Sequence, residues 1–411
     1  MKKVFLWIVM VIVMIAVLLC GTGAVMYAMT DTKSLPDEHP AFGGTELEPV
    51  GYAWEVPVLG NRLSRTFEQP TNLTVQKLGT MNGSIPALTL PAWAQRASVT
   101  LTDPDGKNVV QGDAAALADY AYTQNGDYEL NLTLYRDKTP GKASGWYCYR
   151  AGFTMDIRPT AVLSDDRVAQ GGVAAVLVTG ILDGSEPVLE TDLGEVWFRP
   201  VTGGYMGYIP VTYNAEGGAH TLTVSCGDLT QELALTVVQK TADTVDVEPE
   251  TDIPGAGTEY KNAIWPLYTR GSAEKLWQGT FLPPSAAGIK AAYGSRLRTE
   301  GTITGRATGI NYAAAGGSEV TAPQNGTVEY AGTLALTGGT VVIDHGCGVK
   351  SYLFGMDAVY AQKNAPVYRG DVIGTASDAH TLIWELRIGS KSVDPEQAVT
   401  GKNGLTYREG M

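Results

Sequence analysis

The strongest constraint on the fold sits at the start of the sequence. Lys2 and Lys3 precede an uncharged, strongly apolar stretch from Val4 to about Ala28. Coiled as a helix, such a stretch is long enough to cross a bilayer core of about 30 Å. The apolar core of a cleaved signal is shorter, about 7 to 15 residues. The expectation is a retained transmembrane helix over residues 1–31, with the lysines cytoplasmic and everything after Asp31 outside the cell membrane. Thr22-Gly23-Ala24 keeps cleavage open. Lipidation at Cys20 would need a small residue just before it, and Leu19 stands there.

The rest of the chain has a different texture. Its 49 glycines and 20 tyrosines, without long Ala/Glu/Lys/Leu runs, favour strands and turns, so the fold class expected is mainly β. A formal charge of -13 with no cluster of Lys and Arg excludes a nucleic-acid partner, because phosphate recognition needs concentrated positive charge.

Composition then divides the chain. Residues 32–59, rich in Pro, Gly and Glu, read as a stalk. Val99 and Leu101 alternate before the Asp103-Pro104-Asp105-Gly106 turn, and Tyr128 to Leu134 alternate again, so residues 60–158 (from Gly60) read as a β-sandwich. Residues 159–240 show the same kind of patterning, with an apolar run Val173 to Val178, then Val196-Trp197-Phe198, then alternating Leu233, Leu235 and Val237. This second sandwich resembles small immunoglobulin-like domains. His220 is expected at a strand end on the surface. Residues 241–262 carry Asp243, Asp246, Glu248, Glu250, Asp252 and Glu259 and read as a solvated, self-repelling linker. Cys148, Cys226 and Cys347 fall in separate segments, so no disulfide framework is expected. Cys148 and Cys226 read as small buried side chains.

Between Trp265 and about Val399 the punctuation becomes specific. Trp277, Gly279, Phe281 and Pro283 are followed by Tyr293-Gly294-Ser295-Arg296 and by Ala307-Thr308-Gly309-Ile310-Asn311-Tyr312-Ala313. Then come Val320-Thr321-Ala322-Pro323-Gln324-Asn325-Gly326-Thr327-Val328, Val342-Ile343-Asp344-His345-Gly346, Val367 to Gly374, Trp384-Glu385-Leu386-Arg387 and Val393-Asp394-Pro395. In order and spacing this resembles the LytM or lysostaphin-type zinc endopeptidases, the duplicated hybrid motif family. The resemblance implies a C-terminal β domain at residues 263–401, with a tail at 402–411.

That family cleaves peptidoglycan cross-links with one zinc held by His, Asp and His, the metal turning a bound water into a nucleophile. The resemblance places Ala307 and Asn311 at the first two ligand positions and Ile383 at the third. Phe354 and Thr381 stand at the two catalytic histidine positions. None of these side chains supplies the family's donors, so the expectation is a pseudoenzyme with no cofactor; zinc belongs only to the alternative, an active peptidoglycan endopeptidase. His380 lies one residue from a catalytic position, and a register slip would move it there, though without restoring a ligand set. His345, Cys347, His380, Asp344 and Asp378 have donor chemistry but no tight ligand spacing on one element; a structural His and a buried thiol are expected instead.

The expected function is a non-catalytic, membrane-anchored scaffold or regulator of the cell envelope. Its candidate groove is Asn311, Tyr352, Phe354, His380, Thr381, Ile383 and Glu385. The partner class is peptidoglycan or an envelope protein such as a wall hydrolase or sporulation partner. Degenerate relatives act as activators of wall amidases and as membrane-tethered partners in sporulation channels.

Overall fold

The structure, a computed structural model, describes residues 2–58, 63–82, 86–249, 253–269 and 271–408; Gly60, Glu250 and Asp252, singled out above, lie outside these. The protein is mainly β and divides into two compact units, Met1–Arg158 and Pro159–Met411.

The first unit begins with α1 (Lys2–Met29), a single uninterrupted helix long and apolar enough to cross a membrane. Its side chains are exposed almost throughout. Next come β1 (Pro49–Pro57), β2 (Ser64–Gln69), β3 (Gln76–Met81), β4 (Arg96–Thr102), β5 (Asn108–Asp113), β6 (Gly126–Arg136) and β7 (Ser144–Met155). They form one sheet in the order β2-β1-β7-β6-β4-β5, with β3 pairing in parallel to β7. Tyr128, Leu130, Leu132 and Leu134 of β6 all point to one face and are buried, as period-two alternation demands.

The segment expected as a stalk is instead part of this unit. Leu35, Phe42, Leu47, Trp54 and Val56 are buried in its core, and β1 is an interior strand of the sheet. The apolar residues of 32–58 are spaced too irregularly to announce a strand, yet these five pack into one core with the sheet. The second layer of the core is not a full sheet: it is a three-stranded sheet (Ala41–Phe42, Thr45–Glu46, Leu88–Thr89) with Trp93 and the turn Ala114–Leu117. Cys148 corrects another expectation, being half-buried on the outward-alternating face of β7.

The second unit opens with two four-stranded sheets. One holds β8 (Thr160–Leu163), β10 (Val173–Thr179), β12 (Arg199–Val201) and β13 (Gly204–Pro210); the other holds β9 (Arg167–Ala169), β11 (Val188–Glu190), β14 (Gly218–Cys226) and β15 (Leu229–Val238). Alternation of buried and exposed positions is absent from β10, where Val173 to Val178 are all buried. The cause is cover on both faces: Ala174, Val176 and Val178 pack on the opposite sheet, while Val173, Ala175 and Leu177 join Trp277 and Phe281 of the C-terminal domain. His220 is not a surface residue. It is buried, with Nδ1 2.9 Å from Asp192 and Nε2 2.9 Å from the Glu216 carbonyl.

Residues 241–249 and 253–262 are also not a free linker. β16 (Thr244–Asp246) pairs in parallel with β18 (Arg296–Thr299), next to β19 (Thr302–Arg306), and α2 (Ala256–Ile264) runs into a short 3-10 turn, Trp265–Thr269. The remaining C-terminal strands are β17 (Ile289–Ala291), β20 (Ile310–Tyr312), β21 (Glu319–Thr321), β22 (Gly326–Leu334), β23 (Gly338–Gly346), β24 (Val349–Val359), β25 (Pro366–Val367), β26 (Val372–Ala376), β27 (Leu382–Ile388) and β28 (Lys391–Val393). The main path of their sheet is β17-β20-β27-β24-β23-β22-β25.

Candidate functional site

Three strands of that sheet bring the positions singled out above together. On β20, β27 and β24, Asn311 lies opposite Ile383, and Ile383 lies opposite Phe354. The residues between them, Ile310, Trp384 and Leu353, form the parallel row on the other face, buried in the main core. The row Asn311, Ile383, Phe354 therefore shares one face, together with Tyr352, Glu385, Lys350 and Arg387 by strand alternation. His380 does not join it. Its ring lies against Gly338 in the turn before β27, and Thr381 is exposed at the strand's end. A slip that would bring His380 onto the face is inconsistent with this register.

The face is covered by the chain itself. Ile264 and Leu267, together with Tyr260 and Tyr268, pack onto Val342, Tyr352 and Phe354. The Tyr260 and Phe354 rings are 6.0 Å apart, and Tyr268 and Tyr352 are 5.8 Å apart. Phe354 is buried, and the edge of the layer closes over Ile383. These four covering residues, one at the end of the acidic segment and three just beyond it, were missed, but they leave a signal: positions i, i+4, i+7 and i+8 make an apolar helical stripe.

A polar layer holds the cover down. The Lys350 ammonium is buried, donating to the Leu267 carbonyl and to Glu329, both at 2.6 Å. Arg387 pairs with Glu385 at 2.6 Å and lies over the rings of Tyr268 and Tyr352. Glu385 also accepts from the Thr308 hydroxyl. Burial raises the Tyr260 and Tyr352 hydroxyls well above the usual phenol range, so both stay protonated. The Tyr352 hydroxyl is buried and has no hydrogen-bond partner among the described residues.

The other donor-type residues are committed elsewhere. His345 is wholly buried, with Nδ1 donating to the Asn325 carbonyl at 2.7 Å and Nε2 2.8 Å from the Ser351 hydroxyl, which in turn accepts from Trp384 Nε1. This pattern suits a neutral imidazole, and burial lowers its pKa to about 4. Burial pushes the Cys347 thiol up to about 12, and its sulfur lies 3.4 Å from the Ala273 carbonyl. Asp344 accepts from the Ser272 and Gly346 amides, and Asp378 from Gly316.

A zinc ion would need two imidazoles and a carboxylate converging on one point. Ala307 offers a methyl, Ile383 a branched alkyl and Asn311 a neutral amide, so this donor set does not fit the metal. What the face can do chemically is bury apolar surface.

Comparison with known proteins places these strands in a family. Residues 305–395 match the model described as Peptidase family M23. No curated protein sequence matches significantly. Among solved structures, a peptidase M23 from Pseudomonas aeruginosa is 19% identical over 56% of this chain and 94% of that one, with a TM-score of 0.43. Csd3 from Helicobacter pylori is 12% identical over 76% of this chain and 66% of that one (TM-score 0.28). A complex of SpoIIIAH and SpoIIQ matches at 18% identity over 28% of this chain and 98% of that one (TM-score 0.25).

Proposed function

Starting from the peptidase family M23 domain at residues 305–395, we propose that this chain is a membrane-anchored scaffold or regulator of the cell envelope. In this reading the domain has lost hydrolysis and kept its fold. The observation that carries it is the Asn311, Ile383, Phe354 row closed beneath Tyr260, where a hydrolase needs a metal and an open approach for its substrate. The partner is then a protein or a peptidoglycan strand held on a surface other than the old groove, which the chain fills with its own side chains. α1 would anchor the assembly, with the two units outside the cell membrane and the lysines at its cytoplasmic end.

The test uses the full chain in detergent. It is expected to purify without stoichiometric zinc and to release no muropeptides from isolated cell wall, with or without added zinc. Stoichiometric zinc together with zinc-dependent release would sink the proposal. Sedimentation with purified peptidoglycan, set beside cross-linking in membranes, separates a wall ligand from a protein partner.

A further inference from the structure

The outer end of α1 does not leave the membrane as a free tether. Arg65, at the start of β2, donates from Nη1 to the carbonyls of Tyr27 (2.9 Å) and Thr30 (2.5 Å), satisfying acceptors that the end of a helix leaves open. The same guanidinium lies over the rings of Tyr27 and Phe67. One turn earlier, Gly23 is the single residue of α1 buried among those described, and a side chain there would meet Leu63 at 3.8 Å.

The helix supplies its own depth scale. Trp7 and Tyr27 are about 30 Å apart at 1.5 Å rise per residue, the thickness of a hydrocarbon core, and aromatic residues prefer its two boundaries. With Tyr27 at the outer boundary, Gly23 lies about 6 Å deeper. Leu63, packed at the level of Gly23 and 47% exposed, is thereby held at the edge of the acyl chains, with Arg65 among the headgroups.

The pairing of charges in the first unit bears on the same end. The end of the sheet where β2 begins also carries Arg96, Arg136, Lys138 and Lys142, against the carboxylates Glu55, Asp113 and Asp137, and the segment after α1 adds Asp31, Asp37 and Glu38 on the same side. Glu55 is matched by Lys138 and Asp137 by Arg96. Arg65, Arg136 and Lys142 have no carboxylate partner among the described residues. At the opposite end stand Glu46, Glu48, Asp103, Asp105, Asp127 and Asp156, with Lys77, Lys107 and Arg158. What distinguishes the helix-facing end is therefore not its net charge but the three basic side chains, Arg65, Arg136 and Lys142, that no carboxylate pairs with among the described residues.

We infer that the first unit is seated on the outer leaflet. Leu63 dips into the acyl boundary, and Arg65, Arg136 and Lys142 engage the phosphates of anionic lipids. The inference rests on α1 remaining in the membrane. Its consequence is that the first unit is a fixed platform rather than a domain on a stalk.

The test places the full chain in lipid nanodiscs containing a lipid with a photoreactive group near its glycerol, and maps the labelled peptides by mass spectrometry. Label is expected on α1 and on residues 63–67. Changing the disc from zwitterionic to anionic lipid should raise the second signal, and Lys142→Ala should lower that gain about fivefold, the effect of one basic side chain near a charged surface. Leu63→Ser, at an exposed position, should reduce labelling of 63–67 while α1 is labelled as before. Label confined to α1 overturns the seat and leaves the anchor standing. Absence of label from α1 as well overturns the membrane reading and the seat together.

Discussion

The two faces of one sheet in the C-terminal domain are built from different side chains. The inner face presents Ile310, Leu353, Trp384 and Val341, all buried in the main core with glycine turns at their ends. The outer face presents Asn311, Phe354, Ile383 and Tyr352 beneath Tyr260 and Tyr268. The inner face resembles that of any well-packed β domain. The outer face carries apolar and aromatic groups beside the neutral amide of Asn311, and a neighbouring helix covers it. Adjacent residues on one strand point to opposite faces, so chemistry can be lost on one side without loosening the packing on the other.

The largest expected effect lies on the inner face. Trp384→Ala should cost about 3–5 kcal/mol in urea unfolding of the full chain, because it leaves a cavity at the centre of the core. A cost below that of outer-face changes would break the division between the faces.

His345 tests the same core by pH. Its folded pKa, about 4, lies below its ordinary value of 6.5. The unfolded chain therefore takes up this proton first as the solution becomes more acidic. The stability that His345 contributes is complete above pH 6.5 and falls between pH 6.5 and about 4, by about 3 kcal/mol. Calorimetry across that range should show a shallower loss for His345→Gln than for the natural chain. Equal slopes would mean that the imidazole titrates freely.

The outer face should respond more gently. Tyr260→Ala is expected to cost about 2 kcal/mol and to speed amide exchange at Phe354 and Ile383 while Trp384 stays protected. Exchange rising equally at all three would join the two faces into one cooperative layer. Smallest, and opposite in sign, is Tyr352→Phe. Removing a buried hydroxyl that has no partner should be neutral or stabilising by up to about 1 kcal/mol in the same unfolding assay.

Much of the fold could be read from residue order. The apolar run from Val4 onward announced α1, the alternation in Tyr128 to Leu134 announced β6, and the glycine-punctuated motifs from Trp277 to Pro395 announced the C-terminal sheet. Those signals are local: helix length, period-two alternation and turn chemistry are properties of neighbouring residues. The donor chemistry of Ala307, Asn311 and Ile383 was equally legible, since a methyl or an alkyl group cannot coordinate wherever it is placed.

Tertiary structure alone decided where the weakly patterned segments went. Leu35, Phe42 and Leu47 look like parts of a stalk until the sheet that buries them is present. Tyr260 sits at the end of an acidic segment, and His220 looks exposed, until packing supplies the apolar face and the Asp192 partner. The physical reason is that burial is a property of pairs of surfaces distant in sequence, and a single segment shows only one of the two.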